Sequence, residues 1–150
     1  MWINWNVGIM NEPFSAEMIA PCGMNCGICI AYFGYTISGK KRKHICVTCR
    51  LRERPCAFIK KQCEKLADRE IEYCFECTDF PCQNLTTLDK RYRTKYGMSM
   101  IENLRHIQTN GIDEFLKNEQ ERWKCPTCDG VRCVHNKTCY TCGYMETWLL

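Results

Sequence analysis

The sequence lacks the features that direct a chain into a membrane or out of the cell. No stretch approaches the roughly 18 consecutive apolar residues that a membrane-spanning helix needs. The opening stretch, MWINWNVGIMNEPF, has no basic n-region, no unbroken apolar run and no small-residue cleavage site, so a secretory signal is not predicted. We therefore expect a cytoplasmic protein whose thiols stay reduced.

Histidine is scarce, with only His44, His106 and His135 in 150 residues. Neither a Ser-His-Asp nor a Cys-His pairing can be recognised around them, although many hydrolases and thiol enzymes depend on one. Radical S-adenosylmethionine enzymes use a C-x3-C-x2-C spacing like the one that begins at Cys22, but they also need a partial barrel that 150 residues cannot supply. We leave enzymatic activity open and favour a non-enzymatic role.

Cysteine, in contrast, is abundant, at fifteen residues. In a reduced compartment this abundance favours metal binding over disulfides, and an odd count fits complete disulfide pairing poorly. Ten cysteines lie from Cys22 to Cys82, and the other five lie from Cys125 to Cys142. Two sites of four thiolates would cancel the formal net charge of +4, so this charge says little about an anionic partner.

Two C-x2-C knuckles, CPTC and CYTC, lie near the end of the sequence and are separated by ten residues. Each knuckle bends the backbone so that both sulfurs face one ion, and the intervening loop is long enough to bring the knuckles together. The pattern predicts a zinc ribbon with zinc as its cofactor. The predicted ligands are Cys125, Cys128, Cys139 and Cys142. Cys133 and His135 are further candidate ligands, for which we favour a packing role.

The first ten cysteines form a C-x3-C-x2-C triple, two more knuckles (CVTC and CFEC) and three single cysteines. We expect either zinc or a [4Fe–4S] cluster in this part of the chain. The predicted ligands are Cys22, Cys26, Cys29, Cys46, Cys49, Cys74, Cys77 and Cys82. The simplest partition joins the two knuckles in one site and combines the triple with Cys56, Cys63 or Cys82 in another.

Helices are predicted in three places. Ser99 and Glu102 have the spacing of a capping box, which begins a helix that Gly111 ends. Asp113 is predicted to cap a second helix that runs to Trp123. An earlier helix is expected to start at Pro55 and to continue through residue 70.

Together these patterns predict a small α-rich, metal-stabilised fold with little β structure. Residues 1–20 form an apolar N-terminal arm with the alternation of a strand, and residues 21–98 form a cysteine-rich metal-binding module. Residues 99–123 form a helical hairpin that acts as a clamp, and residues 124–150 form the zinc-ribbon module with an apolar tail.

Several of these motifs together resemble a known family. They are CGMNCGICIAY, CVTCR, IEYCFECTDFPC, ENLRHIQTNGIDEFLKNEQERWKCPTCDG and HNKTCYTCG, which span Pro21 to Gly143. In this order they are similar to a cysteine-rich family of anaerobic archaea and bacteria that is classified as a domain of unknown function. The resemblance implies a cytosolic metal-binding protein of an anaerobe, and it adds weight to an iron–sulfur cluster.

We expect a metal-binding accessory or protein-interaction module whose metals are mainly structural. The expected partner is another protein, with a metalloenzyme or a redox complex as the favoured class. One alternative is an iron–sulfur protein that transfers electrons or senses oxygen or redox state. Another is a nucleic-acid-binding zinc protein, since a basic run lies close to three aromatic residues. These residues are Lys40, Lys41, Arg42 and Lys43, with Tyr32, Phe33 and Tyr35.

Overall fold

The computed structural model describes residues 14–46, 48, 50, 63–68 and 70–145. The strand expected near the N-terminus, the start of the helix expected at Pro55, and the apolar tail after residue 145 lie outside these ranges. So do Cys49 and Cys56.

Within the described ranges the protein is rich in helix and has no sheet. The helices are α1 (Glu64–Ala67), α2 (Gln83–Tyr96), α3 (Met100–Asn110) and α4 (Ile112–Arg122), with single 3₁₀ turns at Ala16–Met18, Cys26–Ile28 and Cys74–Glu76. Extended backbone in this part of the chain forms isolated bridges only. The prediction of an α-rich fold with little β structure is confirmed for these residues. No described helix combines the length and the apolar character needed to cross a membrane.

The helical hairpin follows the predicted signals closely. The side chain of Ser99 accepts a hydrogen bond from the Glu102 backbone N–H at 3.1 Å, which caps α3 as expected. Gly111 ends α3 at a φ of 87°, a conformation that favours glycine. The prediction that Asp113 caps the next helix is wrong, because α4 begins at Ile112 with Gly111 as its N-cap. Asp113 lies in the first turn, where its charge still suits the helix dipole.

Two helices differ from the sequence prediction. The longest, α2, was not predicted, although its Leu85 and Leu88 are buried and Gly97 ends it in a left-handed conformation at a φ of 68°. The helix expected through residue 70 is not continuous, because Cys63 has extended backbone angles and α1 starts at the next residue.

Buried polar contacts attach the first cysteine loop to α3 and α4. Asn103 on α3 donates to the carbonyl of Gly23 at 3.0 Å, and a Cβ at Gly23 would lie 2.6 Å from the Met100 carbonyl oxygen. Asn25 donates to the carboxylate of Glu119 on α4 at 3.0 Å, and both side chains are buried. Burial raises the pKa of Glu119 despite the opposing effect of this hydrogen bond. The loop that carries Cys22 and Cys26 is thereby fixed against the helices.

A buried carboxylate joins α2 to the start of α3. Asp89, whose relative exposure is 2%, accepts hydrogen bonds from the Ser99 hydroxyl at 2.6 Å and from the Ile101 backbone N–H at 3.0 Å. Its second oxygen accepts from Arg93 at 2.7 Å. Both carboxylate oxygens of Asp89 therefore accept hydrogen bonds, and one of them links α2 to the start of α3.

We predict that Asp89→Asn destabilises the fold by about 3 kcal/mol, because the amide places a donor where a buried acceptor is needed. Urea unfolding followed by circular dichroism measures this change. The matched control is Asp113→Asn, which alters an exposed carboxylate and should cost about 0.5 kcal/mol or less. Equal effects of the two substitutions would contradict the role given to Asp89.

Candidate metal centre

The first knuckle of the C-terminal hairpin, which we define as residues 124–145, turns tightly around its two sulfurs. The Thr127 backbone N–H donates to the sulfur of Cys125, and the Gly130 N–H donates to the sulfur of Cys128, both at 3.4 Å. The Cys125 N–H in turn donates to the Gly130 carbonyl at 2.7 Å, which closes the turn. N–H groups that point at sulfur favour the thiolate form, which is the form that binds metal.

The second knuckle repeats the closed turn and lies beside the first. The Gly143 N–H donates to the Cys139 carbonyl at 2.8 Å, and the Cys139 N–H donates to the Tyr144 carbonyl at 2.7 Å. Gly143 has a φ of 83°, which a residue with a side chain rarely adopts. An isolated bridge between Arg132 and Cys139 joins the two halves of the hairpin.

These turns bring four sulfurs to one point. The sulfurs of Cys125, Cys128, Cys139 and Cys142 all lie within 4.8 Å of one another. The Cys125 to Cys142 distance is 3.7 Å and the Cys128 to Cys139 distance is 3.5 Å. A tetrahedral zinc with bonds of about 2.3 Å separates its thiolates by about 3.8 Å, whereas a disulfide bond is about 2.05 Å long. The spacing therefore fits a single ion and does not fit cystines.

The surroundings of Cys125 and Cys128 change the pKa values of these two thiols in opposite directions. Burial opposes ionisation of Cys125, but the N–H groups of Thr127 and Cys128 outweigh it and lower the pKa of this thiol to about 6. The Gly130 N–H favours the Cys128 thiolate, yet Cys142, burial and Cys139 together raise its pKa to about 12. The Cys125 thiolate thus forms readily, whereas the Cys128 thiol resists ionisation when no cation is near it.

The site is closed on one side and open on the other. Cys125 and Cys139 are buried, Cys128 is half-buried and Cys142 is exposed. Gly130 fills the closed side without a side chain, and a Cβ there would lie 3.1 Å from the Cys139 sulfur and 3.2 Å from the Cys128 sulfur. The sequence analysis did not identify this glycine as part of the site, because its closeness to Cys139 depends on how the two knuckles converge.

The hairpin is attached to the helices around Trp123, which follows α4 and is buried. The Lys137 ammonium lies 4.8 Å from the centre of the Trp123 ring and donates to the Tyr96 carbonyl at 2.7 Å. The Arg132 backbone N–H donates to the Trp123 carbonyl at 2.8 Å. Cation–π and backbone contacts therefore hold the hairpin against the ends of α2 and α4.

His135 helps to attach the hairpin to the first cysteine loop and to α2. Its Nδ1 accepts a hydrogen bond from the Ile30 N–H at 3.2 Å, so the ring proton is on Nε2, which donates to the Tyr92 hydroxyl at 3.0 Å. Burial, assisted by the charge of Lys137, lowers the pKa of His135 to about 4 and keeps the ring neutral. Both ring nitrogens are engaged within the protein, which agrees with the packing role favoured for this residue.

The structure describes eight of the ten cysteines of the first module, all except Cys49 and Cys56. Among the described residues, no second group of three candidate ligands lies within 4.8 Å. Burial and the nearby thiols of Cys22, Cys63, Cys82 and Cys77 raise the pKa of Cys74. The charge of Cys46, the described member of the CVTC knuckle, contributes to raising the pKa of Cys29, although burial is the main cause.

Most of these thiols are shielded from solvent. Cys22, Cys26, Cys46 and Cys74 are buried, and Cys29, Cys77 and Cys82 are half-buried. The Lys65 ammonium donates to the Cys77 sulfur at 3.3 Å. With Cys49 outside the described ranges, the ligand assignments in this module remain predictions.

The basic run lies in an exposed turn. The Thr36 N–H donates to the Lys40 carbonyl at 2.8 Å, and Tyr35 and Lys41 form an isolated bridge. Lys40, Lys41 and Lys43 are exposed, and Arg42 is half-buried.

The nearby aromatic residues contact the hairpin. Tyr35 stacks on Tyr140 with ring centres 4.8 Å apart, and Phe33 lies 5.1 Å from the same ring. These two rings are thus already in contact with Tyr140.

Residues 18–87 match a family described as "Protein of unknown function (DUF3795)". The matched region contains every cysteine from Cys22 to Cys82 and stops before the hairpin. The resemblance to a family of unknown function is confirmed for this region, and the match assigns no activity. No curated protein and no solved structure is significantly similar to the chain.

We predict that Gly130→Ala weakens metal binding by about tenfold, because the added methyl group pushes two of the four sulfurs outward. Competition against a coloured chelator measures the affinity. Pro126→Ala, which changes an exposed residue of the same knuckle, should stay within about twofold of wild type. Wild-type affinity in Gly130→Ala would show that the glycine does not shape the site.

Proposed function

We propose that the protein is a zinc-stabilised binding module in which residues 124–145 form a zinc ribbon. The observation that carries this proposal is the convergence of four thiols within 4.8 Å, with pairs 3.5 and 3.7 Å apart. Zinc suits this set because it prefers four tetrahedral sulfur ligands and has no redox chemistry. Four protein ligands leave no open position for a substrate, so the proposed role of this zinc is structural.

The hairpin has little else to hold its shape. It contains no regular helix or sheet, and its backbone pairing consists of isolated bridges at Lys124, Arg132 and Thr138. Structural zinc in small modules contributes on the order of 10 kcal/mol, which becomes folding free energy when the site exists only in the folded state. Metal binding is therefore proposed to order this hairpin against Trp123.

We predict that Cys128→Ser releases one equivalent of zinc and unfolds the hairpin while α2 to α4 remain folded. Zinc and iron analysis of anaerobically prepared protein, an ultraviolet-visible spectrum and amide hydrogen exchange together measure this outcome. The wild-type hairpin zinc should add no visible absorption. Thr141→Ser, which changes an exposed residue of the second knuckle, should keep the full metal content. Full zinc occupancy in Cys128→Ser would refute the zinc-ribbon proposal.

An iron–sulfur cluster that involves the cysteines of the first module is the second candidate. Cys74 is surrounded by Cys22, Cys63 and Cys82. These thiols do not come as close together as the four in the hairpin. A polynuclear cluster contains its own sulfides and holds its thiolates farther apart than a single ion does. Iron in the metal analysis, with a brown colour that persists in Cys128→Ser, would favour this candidate.

We infer that the surface offered to a partner is the turn of residues 36–45. Ile37 and Ile45 are exposed by 73% and 64%, and exposed Lys40, Lys41 and Lys43 lie between them. An apolar contact with basic neighbours suits the surface of an acidic protein, because charge complementarity steers association and apolar burial stabilises it. A metalloenzyme or a redox complex remains the favoured class of partner.

A nucleic-acid partner is less well supported. Single-stranded nucleic acid needs aromatic faces on which its bases can stack. Phe33 and Tyr35 are half-buried, and the Tyr140 ring of the hairpin already lies against both. The basic run would then contact phosphates alone.

We predict that replacing Lys40, Lys41 and Lys43 with glutamate abolishes capture of an acidic protein from extract of the source organism. Loss of the positive charge should remove the electrostatic complementarity without changing the fold. In the matched control, glutamate replaces three exposed lysines of α2 and α4, which are Lys90, Lys95 and Lys117. This control variant should capture the same protein as wild type. Capture that nuclease treatment removes would indicate nucleic acid and contradict the protein-partner proposal.

A further inference from the structure

Backbone hydrogen bonds bring cysteines from three distant parts of the chain to one place. The Val134 N–H donates to the Ile28 carbonyl at 2.8 Å, which sets Cys133 of the hairpin beside Cys29 of the first loop. The Cys46 N–H donates to the Ala31 carbonyl at 3.1 Å, on the other side of Cys29. Cys133 and Cys46 are buried, and Cys29 is half-buried.

Cys29 and Cys133 share the local geometry of the zinc-ribbon knuckle. The sulfur of Cys125 interacts with the N–H groups two and three residues later. The sulfur of Cys29 interacts in the same way with Ala31 and Tyr32, and that of Cys133 with His135 and Asn136. N–H groups directed at sulfur stabilise a thiolate, which an apolar packing role would not need.

The surroundings oppose this negative charge unless a cation balances it. Burial raises the pKa of Cys29 to about 11, and the Cys46 and Cys133 charges add to the effect. Burial also raises the pKa of Cys133. Cys29, Cys46 and Cys133 therefore lie on neighbouring segments, with N–H donors at the sulfurs of Cys29 and Cys133, an arrangement that suits a shared positive ion.

We propose that Cys29, Cys46 and Cys133 ligate one metal centre that joins the cysteine-rich module to the C-terminal hairpin. The proposal extends the metal-binding role proposed above to a second centre, at which each thiol gives its proton to solvent as metal binds. Cys133 lies outside the region that matches the family, so this centre would be built partly by the hairpin.

The chemistry of the three ligands limits the metal to a thiophilic one, which means zinc or iron. Their sulfurs are not all within 4.8 Å of one another. Binding therefore either draws the sulfurs inward around a single ion or places a polynuclear cluster between them. A cavity of about 470 Å³ borders Cys46, with Tyr32, Ile45 and Thr48 among its walls.

The experiment measures zinc and iron per chain in anaerobically prepared full-length protein. Cys29→Ser and Cys133→Ser should each lose one metal centre, and the double variant should lose no more than either single one, because both residues serve the same centre. Combining Cys133→Ser with Cys128→Ser should remove two centres. The number of metal atoms lost per chain distinguishes a single ion from a cluster, and metal analysis identifies the element.

Val134→Ala is the control for packing, since it alters the same buried contact and keeps every thiol. It should retain the full metal content. Unchanged metal in Cys133→Ser, equal loss in Val134→Ala, or loss of two centres in the Cys29/Cys133 double variant would each overturn the proposal. If only Cys128→Ser loses zinc, the zinc-ribbon proposal is supported and the bridging centre is refuted. If only Cys133→Ser loses metal, the zinc-ribbon proposal is refuted and the bridging centre is supported.

A second measurement needs no variant. In cadmium-113-loaded wild-type protein, the β-protons of Cys29, Cys46 and Cys133 should couple to one cadmium resonance. The four cysteines of the zinc ribbon should couple to a different one. Absence of coupling from Cys133, or coupling of Cys133 to the ribbon resonance, would overturn the bridging centre.

Discussion

The crowding of four thiols at one point is the constraint on which the rest of the structure depends. Local turns bring four sulfurs of the hairpin within 4.8 Å, and backbone N–H groups favour the ionised form of at least one of them. The Cys128 thiol resists ionisation because of Cys142, burial and Cys139. A cation at this point would remove the conflict, and its coordination bonds would then add to the stability that apolar burial gives.

The helical core positions these sulfurs through buried polar groups as much as through apolar contacts. Asp89 holds α2 to α3, Asn103 and Asn25 hold the first cysteine loop to α3 and α4, and Lys137 holds the hairpin to the end of α2. Each contact has a defined geometry, and a loss of one leaves a buried group unsatisfied. Directional contacts of this kind fix the distance between cysteine-bearing segments more closely than an apolar surface would, because apolar attraction is non-directional.

Features that depend on local spacing could be predicted from the sequence, and features that depend on long-range contacts could not. The knuckles of the hairpin converge as predicted, and Ser99 and Gly111 bound α3, because both patterns are set within a few residues. The prediction that Asp113 caps α4 was wrong because Gly111 is both the C-cap of α3 and the N-cap of α4. The grouping of Cys74 with Cys22 and of Cys46 with Cys29 follows from contacts between distant segments. No spacing rule encodes such contacts.

The proposed binding turn and the proposed metal centres are physically linked. Residues 36–45 lie between Tyr35, whose ring stacks on Tyr140 of the hairpin, and Cys46, whose N–H is bonded to Ala31 beside Cys29. Tyr140 directly follows Cys139, a proposed zinc ligand. Each end of the turn is therefore held next to a sulfur that metal would fix. Release of metal would loosen both ends, so the presentation of Ile37 and Ile45 to a partner should depend on metal occupancy without any metal touching that partner.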